Sequence, residues 1–172
     1  MELLELFAQG ELEAFETLFR QFQREVYGWI IRIVRDPGIA EDLTVETFWR
    51  IYQARSRFDP ERSFGAWARR IATNAAFDYL KTVRPEVILT ENHGQEMPPD
   101  PAVQTDTRDR IEQAFAHLPA KLRIVATLAL IEEQPYQEIA GALGISTGAV
   151  KSRVFRAVRL LRRTLKRMGV EP

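Results

Sequence analysis

Basic side chains dominate the last long stretch of the chain, and their spacing suits contact with nucleic acid. Arginine and lysine pair with phosphates, and arginine also pairs with guanine edges. Between residues 147 and 167 there are eight cations and no acid, namely Lys151, Arg153, Arg156, Arg159, Arg162, Arg163, Lys166 and Arg167. A surface helix with a solvated basic face would show the same composition.

Apolar residues between these cations recur every three or four positions, which predicts a helix with one buried stripe. They are Val150, Val154, Ala157, Val158, Leu161, Leu165 and Met168. Ser146 is a suitable N-cap for this helix, because its hydroxyl can accept from an unpaired amide of the first turn. Gly144 predicts a tight turn after a short helix that opens at Pro135. A short helix, a turn and a basic helix form the geometry that brings a helix into the DNA major groove.

The composition bounds the possible classes of protein. The chain has 172 residues, of which 45% are hydrophobic and 28% charged, as in ordinary globular domains. It has no cysteine, which excludes disulfides and thiolate metal sites, and no cofactor is expected. The N-terminus is acidic where a secretory signal is basic, and no apolar run reaches membrane-spanning length. We expect a cytoplasmic protein without membrane insertion.

Charge alternates along the chain although the formal net charge is zero. Residues 1–55 carry 6 basic and 10 acidic side chains, and residues 56–84 carry 6 and 3. Residues 85–120 carry 2 and 7, and residues 121–172 carry 10 and 4. Local charge sets the attraction to phosphates, so the two basic segments suit a polyanion and the acidic ones a protein partner or self-shielding.

The first half of the chain has helical periodicity. Apolar spacing predicts helices over residues 3–34, broken at Gly10, and over residues 39–52, after a turn at residues 36–38. The helix predicted over residues 39–52 could face a core through its apolar side chains Ile39, Leu43, Phe48, Ile51 and Tyr52. Trp49 stands among acids and is either core or part of a protein-binding surface.

A further helix over residues 64–82 follows a loop at residues 56–63, with Ser63 as the expected cap. Cations, aromatic rings and amides interleave along it, which is the mixture that single-stranded nucleic acid requires. They include Trp67, Arg69, Arg70, Asn74, Phe77, Tyr79 and Lys81. Ordinary core and surface residues would give a similar pattern.

Residues 85–105 are rich in proline and acids and predict a flexible linker. Helices are expected over residues 106–118 and again from Pro119, the latter buried through Ile124, Leu128 and Ile131. The predicted fold is therefore all-α, with two small helical domains at residues 1–84 and 106–172 and a helix-turn-helix in the second.

Three motifs resemble the extracytoplasmic-function group of bacterial RNA polymerase sigma factors. Residues 40–59, AEDLTVETFWRIYQARSRFD, and residues 64–81, FGAWARRIATNAAFDYLK, resemble region two of that family. Residues 118–163 resemble region four, most specifically where YQEIA precedes GISTGAVKSRVFRA. The resemblance spans nearly the whole chain except the linker. It implies a promoter-specificity subunit that binds core RNA polymerase and promoter DNA, both double-stranded and melted.

The resemblance also implies roles for individual residues. The helix that docks on a coiled coil of the largest polymerase subunit corresponds to Asp42, Glu46, Phe48, Trp49 and Arg50. Capture of a flipped base of the −10 element falls to the loop at residues 58–63 and the next helix, through Phe58, Ser63, Arg70 and Asn74. Contact with the −35 element falls to Tyr136, Lys151, Ser152, Arg153, Phe155 and Arg156. An anti-sigma factor is a further implied partner.

Side-chain chemistry fits the implied contacts of the basic helix. Lys151, Ser152 and Arg156 can present to one groove, and an arginine can pair bidentately with guanine. Phe155 can contact a thymine methyl or a sugar, whereas Arg153, Arg159 and Arg162 are expected to meet phosphate or solvent.

Two positions depart from the family's pattern. Val45 stands where the family usually has glutamine, which removes one polar contact expected with polymerase. Pro135 stands where serine or threonine usually precedes the YxEIA run, so a side-chain cap is absent. Neither departure disturbs the expected fold.

Two other functions are compatible with parts of the sequence. A stand-alone DNA-binding regulator would use residues 1–84 to sense a ligand or dimerise, and a helical adaptor would bind only proteins. An enzyme is not expected, because the two histidines, His93 and His117, belong to no visible nucleophile triad, metal cluster or phosphate loop.

Overall fold

The structure, a computed structural model, describes residues 2–83 and 107–170. The chain divides into two compact units, residues 1–80 and 81–172. All regular elements in the described ranges are helical, and no strand occurs there. The all-α prediction is confirmed. The predicted linker at residues 85–105 lies outside the described residues.

The first unit contains four α-helices and one short 3₁₀ turn. Gly10, with a left-handed φ of 93°, separates the first two helices, as its position in the sequence predicted. The 3₁₀ turn at Arg55–Arg57 precedes the loop that leads into the last helix. The helices are α1 (Leu3–Ala8), α2 (Leu12–Val34), α3 (Pro37–Gln53) and α4 (Phe64–Val83).

Helix α3 begins two residues before the predicted start at Ile39. The Asp36 carboxylate accepts a hydrogen bond from the Ile39 amide at 3.1 Å, so Asp36 is the N-cap. Pro37 occupies the first helical position, where its missing amide hydrogen costs nothing. The predicted turn at residues 36–38 is therefore the capped start of the helix.

The buried stripe of α3 differs from the predicted one. Phe48 and Ile51 are buried as expected, but Ile39, Leu43 and Tyr52 are only half-buried. Ala40, Thr44 and Thr47 take the central buried positions instead. The Thr44 and Thr47 hydroxyls donate to the carbonyls four residues earlier at 2.6 and 2.7 Å, so their burial leaves no orphan polar group.

Aromatic rings around Phe7 form the centre of the first core. The Phe7 ring lies 5.6 Å from Phe64, 5.9 Å from Phe58 and 6.2 Å from Trp67, all in edge-on orientations. Phe15 stacks on Phe7 with ring centroids 6.3 Å apart. A six-residue helix is too short to be stable by itself, so this packing is what holds α1.

The second unit contains α5 (Thr107–Ala116), α6 (Ala120–Ala126), α7 (Tyr136–Leu143) and α8 (Thr147–Arg167). Helices α5, α6 and α8 share a core that includes Phe115, Leu122, Ala126, Ala157 and Leu161. The predicted basic helix thus packs through its apolar stripe.

One predicted core position of the second unit is wrong. Ile124 and Leu128 are buried, but Ile131 is 41% exposed. Helix α6 continues as a π turn at Thr127–Ile131, in which the Glu132 amide donates to the Thr127 carbonyl at 3.0 Å. This wider turn breaks the 3.6-residue period and carries Ile131 away from the core.

Replacing Phe7 with alanine tests the role of the aromatic cluster. We expect Phe7→Ala to lower the free energy of unfolding by about 3–5 kcal/mol, because the site is fully buried and enclosed by rings. Urea unfolding followed by circular dichroism measures the loss. The control Leu12→Ala, at an exposed position, should change stability by less than about 0.5 kcal/mol. A loss below about 1 kcal/mol for Phe7→Ala would contradict this account.

Candidate functional site

The turn between α7 and α8 is built by the two residues that the sequence marked for it. Gly144 ends α7 in the left-handed region at φ 67°, which suits a residue without a Cβ. The Ser146 hydroxyl accepts from the Ala149 amide at 3.1 Å and caps α8. Both predictions are confirmed. Pro135 is the residue before α7 and makes no side-chain cap, as the departure at this position implied.

The exposed side of α8 carries most of the residues predicted to contact the −35 element. Lys151, Ser152, Phe155 and Arg156 are all exposed, and Phe155 is 65% exposed despite being aromatic. At about 100° per residue, Arg153 is about 160° from Phe155 around the helix axis. Arg153 is half-buried and lies about 60° from Arg156, so it stands at the edge of this face and not at its centre.

A groove of about 460 Å³ runs beside these residues. Val154, Phe155 and Val158 line it from α8, and Tyr136 lines it from the first turn of α7. Three cations complete the lining, namely Lys151, Arg159 and Arg162. Tyr136 is half-buried here, so only part of its ring is available for contact.

Arg159 and Arg162 were not among the residues predicted to recognise the −35 element. They follow Phe155 by four and seven positions, so they lie on the same helix face. This helical spacing is the sequence pattern that could have placed Arg159 and Arg162 beside Phe155. Both were expected only to meet phosphate or solvent.

The outer face of α3 combines acids with exposed apolar residues. Asp42 and Glu46 are exposed there, together with Val45 at 67% and Trp49 at 55%. Trp49 also stacks on Tyr52, with ring centroids 6.5 Å apart. The alternative that Trp49 is a core residue is therefore wrong.

Phe48 does not share that exposed face. It is 3% exposed and packs edge-on against Phe19 at 4.7 Å, since it belongs to the stripe that faces α2. Its predicted direct contact with polymerase is wrong, and the residue instead fixes α3 against the core.

Arg50 turns from α3 towards α4. Its Nε donates to Glu46 at 3.0 Å, and its Nη1 donates to Asp78 of α4 at 2.9 Å. Burial lowers the pKa of Arg50, but its hydrogen bonds to the Glu46 and Asp78 carboxylates, together with their negative charges, outweigh burial and raise the pKa above its usual value. The guanidinium stays charged and ties the two helices together.

A cleft of about 280 Å³ opens beside this ion pair. Amides and cations from both helices and the 3₁₀ turn surround it, with two small apolar patches. Its lining consists of Arg50, Gln53, Ala54, Arg57, Ile71 and Asn74. Gln53 follows Arg50 by three positions on α3, a spacing that could have identified it, whereas Arg57 lies in the 3₁₀ turn after the helix ends.

The residues predicted for the −10 element fall into different environments. Asn74 lines the cleft, and Arg70 is exposed one helical turn before it. The Ser63 hydroxyl accepts from the Ala66 amide at 3.2 Å, so it caps α4 as predicted. Phe58 is 5% exposed and lies 4.8 Å from Trp67, so its predicted contact with a base is wrong. It anchors the loop in the core.

Neither a metal-binding cluster nor a membrane-spanning helix occurs within residues 2–83 and 107–170. No group of three or more histidine, aspartate or glutamate side chains in those ranges could hold a metal ion. None of the helices described there combines the length and apolar character that crossing a membrane requires.

Comparisons with known proteins identify the family. A family model described as Sigma-70 region 2 matches residues 18–85, and one described as Sigma-70, region 4 matches residues 108–161. The chain is 31% identical to the ECF RNA polymerase sigma factor SigW of Bacillus subtilis, over 92% of both chains. It is 32% identical to the RNA polymerase sigma factor CarQ of Myxococcus xanthus, over 98% of both. The chain belongs to the extracytoplasmic-function sigma factors.

Solved structures agree with this sigma factor's fold. The sigma factor RpoE of Bartonella quintana, solved with the anti-sigma factor NepR, is 22% identical with a TM-score of 0.63. That match covers 90% of this chain and 98% of RpoE and concerns the fold alone. CnrH, solved with the cytosolic domain of CnrY, is 25% identical with a TM-score of 0.64, over 95% of both chains.

The functional alternatives raised by the sequence gain no support from these relatives. SigW and CarQ are each named as RNA polymerase sigma factors, and neither is named as a regulator or an adaptor. This sigma factor therefore serves as a promoter-specificity subunit.

Alanine at Ser146, the N-cap of α8, and alanine at Ser152, within α8, should have opposite effects on stability. Ser146→Ala removes the cap and should cost about 1 kcal/mol of unfolding free energy. Ser152→Ala, at an exposed position within the helix, should stabilise by up to about 0.5 kcal/mol because alanine has the higher helix propensity. Thermal unfolding measures both, and equal effects would contradict the assigned cap.

Proposed function

We propose that this sigma factor uses its two predicted domains on two promoter elements. Residues 1–84 bind core RNA polymerase and capture the melted −10 element, and residues 106–172 bind the −35 element as duplex. The predicted linker at residues 85–105 joins the two activities. The protein supplies recognition and positioning and has no catalytic step of its own.

The exposed side of α8 is the observation that carries the proposal. Its capped N-terminal half presents Lys151, Ser152, Phe155 and Arg156 together, a mixture of cations, a hydroxyl and an aromatic ring. A helix of this kind fits the major groove with its first turns against base edges. We assign Arg156 and Ser152 to base edges and Phe155 to a thymine methyl or a sugar.

Charge repulsion within α8 supports a polyanionic partner. Arg159 and Arg163, Arg162 and Lys166, and Arg163 and Arg167 are like-charged pairs four residues apart. Each such pair destabilises a helix by about 0.2–0.5 kcal/mol. The helix dipole offsets only the pairs near the C-terminus, whereas phosphates along the helix would relieve them all. Arg159 and Arg162, beside the groove, are suited to this role.

The cleft between α3 and α4 suits an extruded base. Its volume of about 280 Å³ and its lining of two arginines, two amides and the apolar Ile71 combine hydrogen-bond donors with a surface for a ring. Arg70 and the positive segment around it suit the neighbouring phosphates. Asn74 and Arg57 are the residues that we assign to the base itself.

The outer face of α3 is the surface that we assign to polymerase. Asp42 and Glu46 offer negative charge to the coiled coil of the largest polymerase subunit, and Trp49 offers a large exposed ring of the type enriched at binding hot spots. Val45 extends this apolar surface where the family usually has glutamine. Apolar contact at Val45 and Trp49 would then replace one polar contact.

An anti-sigma factor is a further proposed partner. The support is the fold shared with the Bartonella quintana sigma factor that was solved with the anti-sigma factor NepR. Because core polymerase and promoter DNA are the proposed partners, we propose that the protein acts in the cytoplasm.

Run-off transcription with core polymerase and a promoter library tests the main proposal. We expect the protein to direct initiation from a subset of templates that core alone does not transcribe. Sequencing the transcribed templates should give two enriched elements, one upstream of the other. The proposal fails if no template is transcribed above core alone while the isolated protein binds a regulator-type operator.

Two arginines of α8 should differ in how they affect DNA binding. Arg156→Ala should relax preference at particular −35 bases, with a loss of about 1–3 kcal/mol on the preferred sequence. Arg163→Ala, farther along the helix, should weaken binding about equally across sequences and reduce its salt dependence. Binding of a −35 library by holoenzyme measures both variants. If Arg156→Ala lowered the affinity for all −35 sequences equally, Arg156 would contact phosphate and not a base.

A further inference from the structure

We propose that Arg50 is a positioning residue that links polymerase binding on the outer face of α3 to strand capture in the cleft between α3 and α4. The inference rests on the proposed function, which assigns Glu46 to polymerase and the cleft to the melted strand. Arg50 then connects the two sites, whereas the family resemblance implied that it contacts polymerase.

Arg50 has two carboxylate partners and one open side. Its Nε bonds to Glu46 at 3.0 Å and its Nη1 to Asp78 at 2.9 Å. The same side chain lines the cleft together with Asn74 and Arg57, and it is about one-third exposed. A guanidinium has five N–H donors, and Arg50 uses one for Glu46 and one for Asp78. The remaining donors can therefore bond to an acceptor in the cleft.

The two carboxylates differ in where they lie. Asp78 is on α4, one helical turn after Asn74, so its bond to Arg50 joins the two walls of the cleft. Glu46 is on α3, one turn before Arg50, and lies about 60° around the axis from Trp49. Glu46 therefore stands between the face assigned to polymerase and the cleft assigned to the strand.

Binding at one site then changes the charge available at the other. A cation of the polymerase that pairs with Glu46 competes with Arg50 for the carboxylate, and an exposed i,i+4 ion pair is weak enough to be exchanged. Arg50 keeps its bond to Asp78, which fixes the guanidinium, and gains free donors towards the cleft. A base acceptor or a phosphate oxygen can accept from them.

Thermodynamic linkage makes this coupling reciprocal. If polymerase binding raises the affinity for the strand by some factor, the strand raises the affinity for polymerase by the same factor. In the free protein, Glu46 partly neutralises Arg50 and weakens its attraction for nucleic acid. The ion pair would thus favour strand capture after assembly with polymerase.

Strand binding with and without polymerase tests the coupling. The probe is a fluorescent single strand of random sequence, titrated with free full-length protein and with holoenzyme at saturating core. We expect Glu46→Gln to tighten strand binding by the free protein about two- to threefold, as loss of one exposed ion pair predicts. The ratio of the free-protein and holoenzyme dissociation constants should shrink by the same factor.

Glu41→Gln is the matched control, because it makes the same change at an exposed position of α3 that is assigned to no partner and is not bonded to Arg50. It should leave the ratio unchanged. Adding Arg50→Lys to Glu46→Gln should abolish the gain, since lysine lacks the second set of donors. Thermal unfolding of each variant separates these effects from a loss of folded protein.

The outcomes separate this inference from the proposed function. Equal tightening by Glu46→Gln and Glu41→Gln would reduce the effect to general charge and overturn the role of Arg50. No change with Glu46→Gln would also overturn it. Either result leaves the proposed function intact if the wild-type holoenzyme initiates in run-off transcription, whereas failure of initiation contradicts the proposed function itself.

Discussion

The aromatic cluster around Phe7 is the interaction on which the first unit depends. Phe58 and Phe64, which flank the loop at residues 59–63, both pack against the Phe7 ring. Edge-on ring pairs of this kind contribute about 0.5–1.5 kcal/mol each beyond the burial of their area. Because both ends of the loop are anchored in one cluster, its middle residues stay exposed on a fixed backbone. The same anchoring sets the position of Arg57, which adjoins Phe58 and lines the cleft.

Both units combine a buried apolar stripe with charges that the chain neutralises only in part. In α8, Val150, Val154, Ala157 and Leu161 hold the helix to its unit while eight cations face outward or lie at its edges. In α3, Phe48 and Ile51 hold the helix while its outer face presents acids and Trp49. Packing thus supports charge distributions that would be unfavourable in isolated helices. The charges become favourable when partners of opposite sign bind.

Local features of the fold could be predicted from the sequence. The Ser63 and Ser146 caps and the Gly144 turn rest on neighbouring residues, and each stands where predicted. The start of α3 was missed because proline after aspartate serves a turn and a capped helix equally well. Ile131 was misassigned because the π turn changes the helical period without a distinct sequence signal.

The parts of the site that could not be predicted depend on distant residues. Phe48 and Phe58 have the ring chemistry of contact residues, but packing against rings from α2 and α4 makes them core. Asp78 is 28 residues from Arg50, and no periodicity joins them. The sequence shows which side chains have the chemistry for contact with nucleic acid or protein. Only the fold shows which of them are exposed and which are buried.

The position of Phe7 has a consequence for how the protein is made. Its ring partners Phe58, Phe64 and Trp67 come more than fifty residues later in the chain, so the contacts that close this core are among the least local in the unit. Non-local contacts slow folding, because the loop between them must be ordered first. During synthesis, α1 therefore emerges well before the rings that enclose Phe7. Its phenylalanine stays exposed to water, and to chaperones, until the start of α4 has emerged.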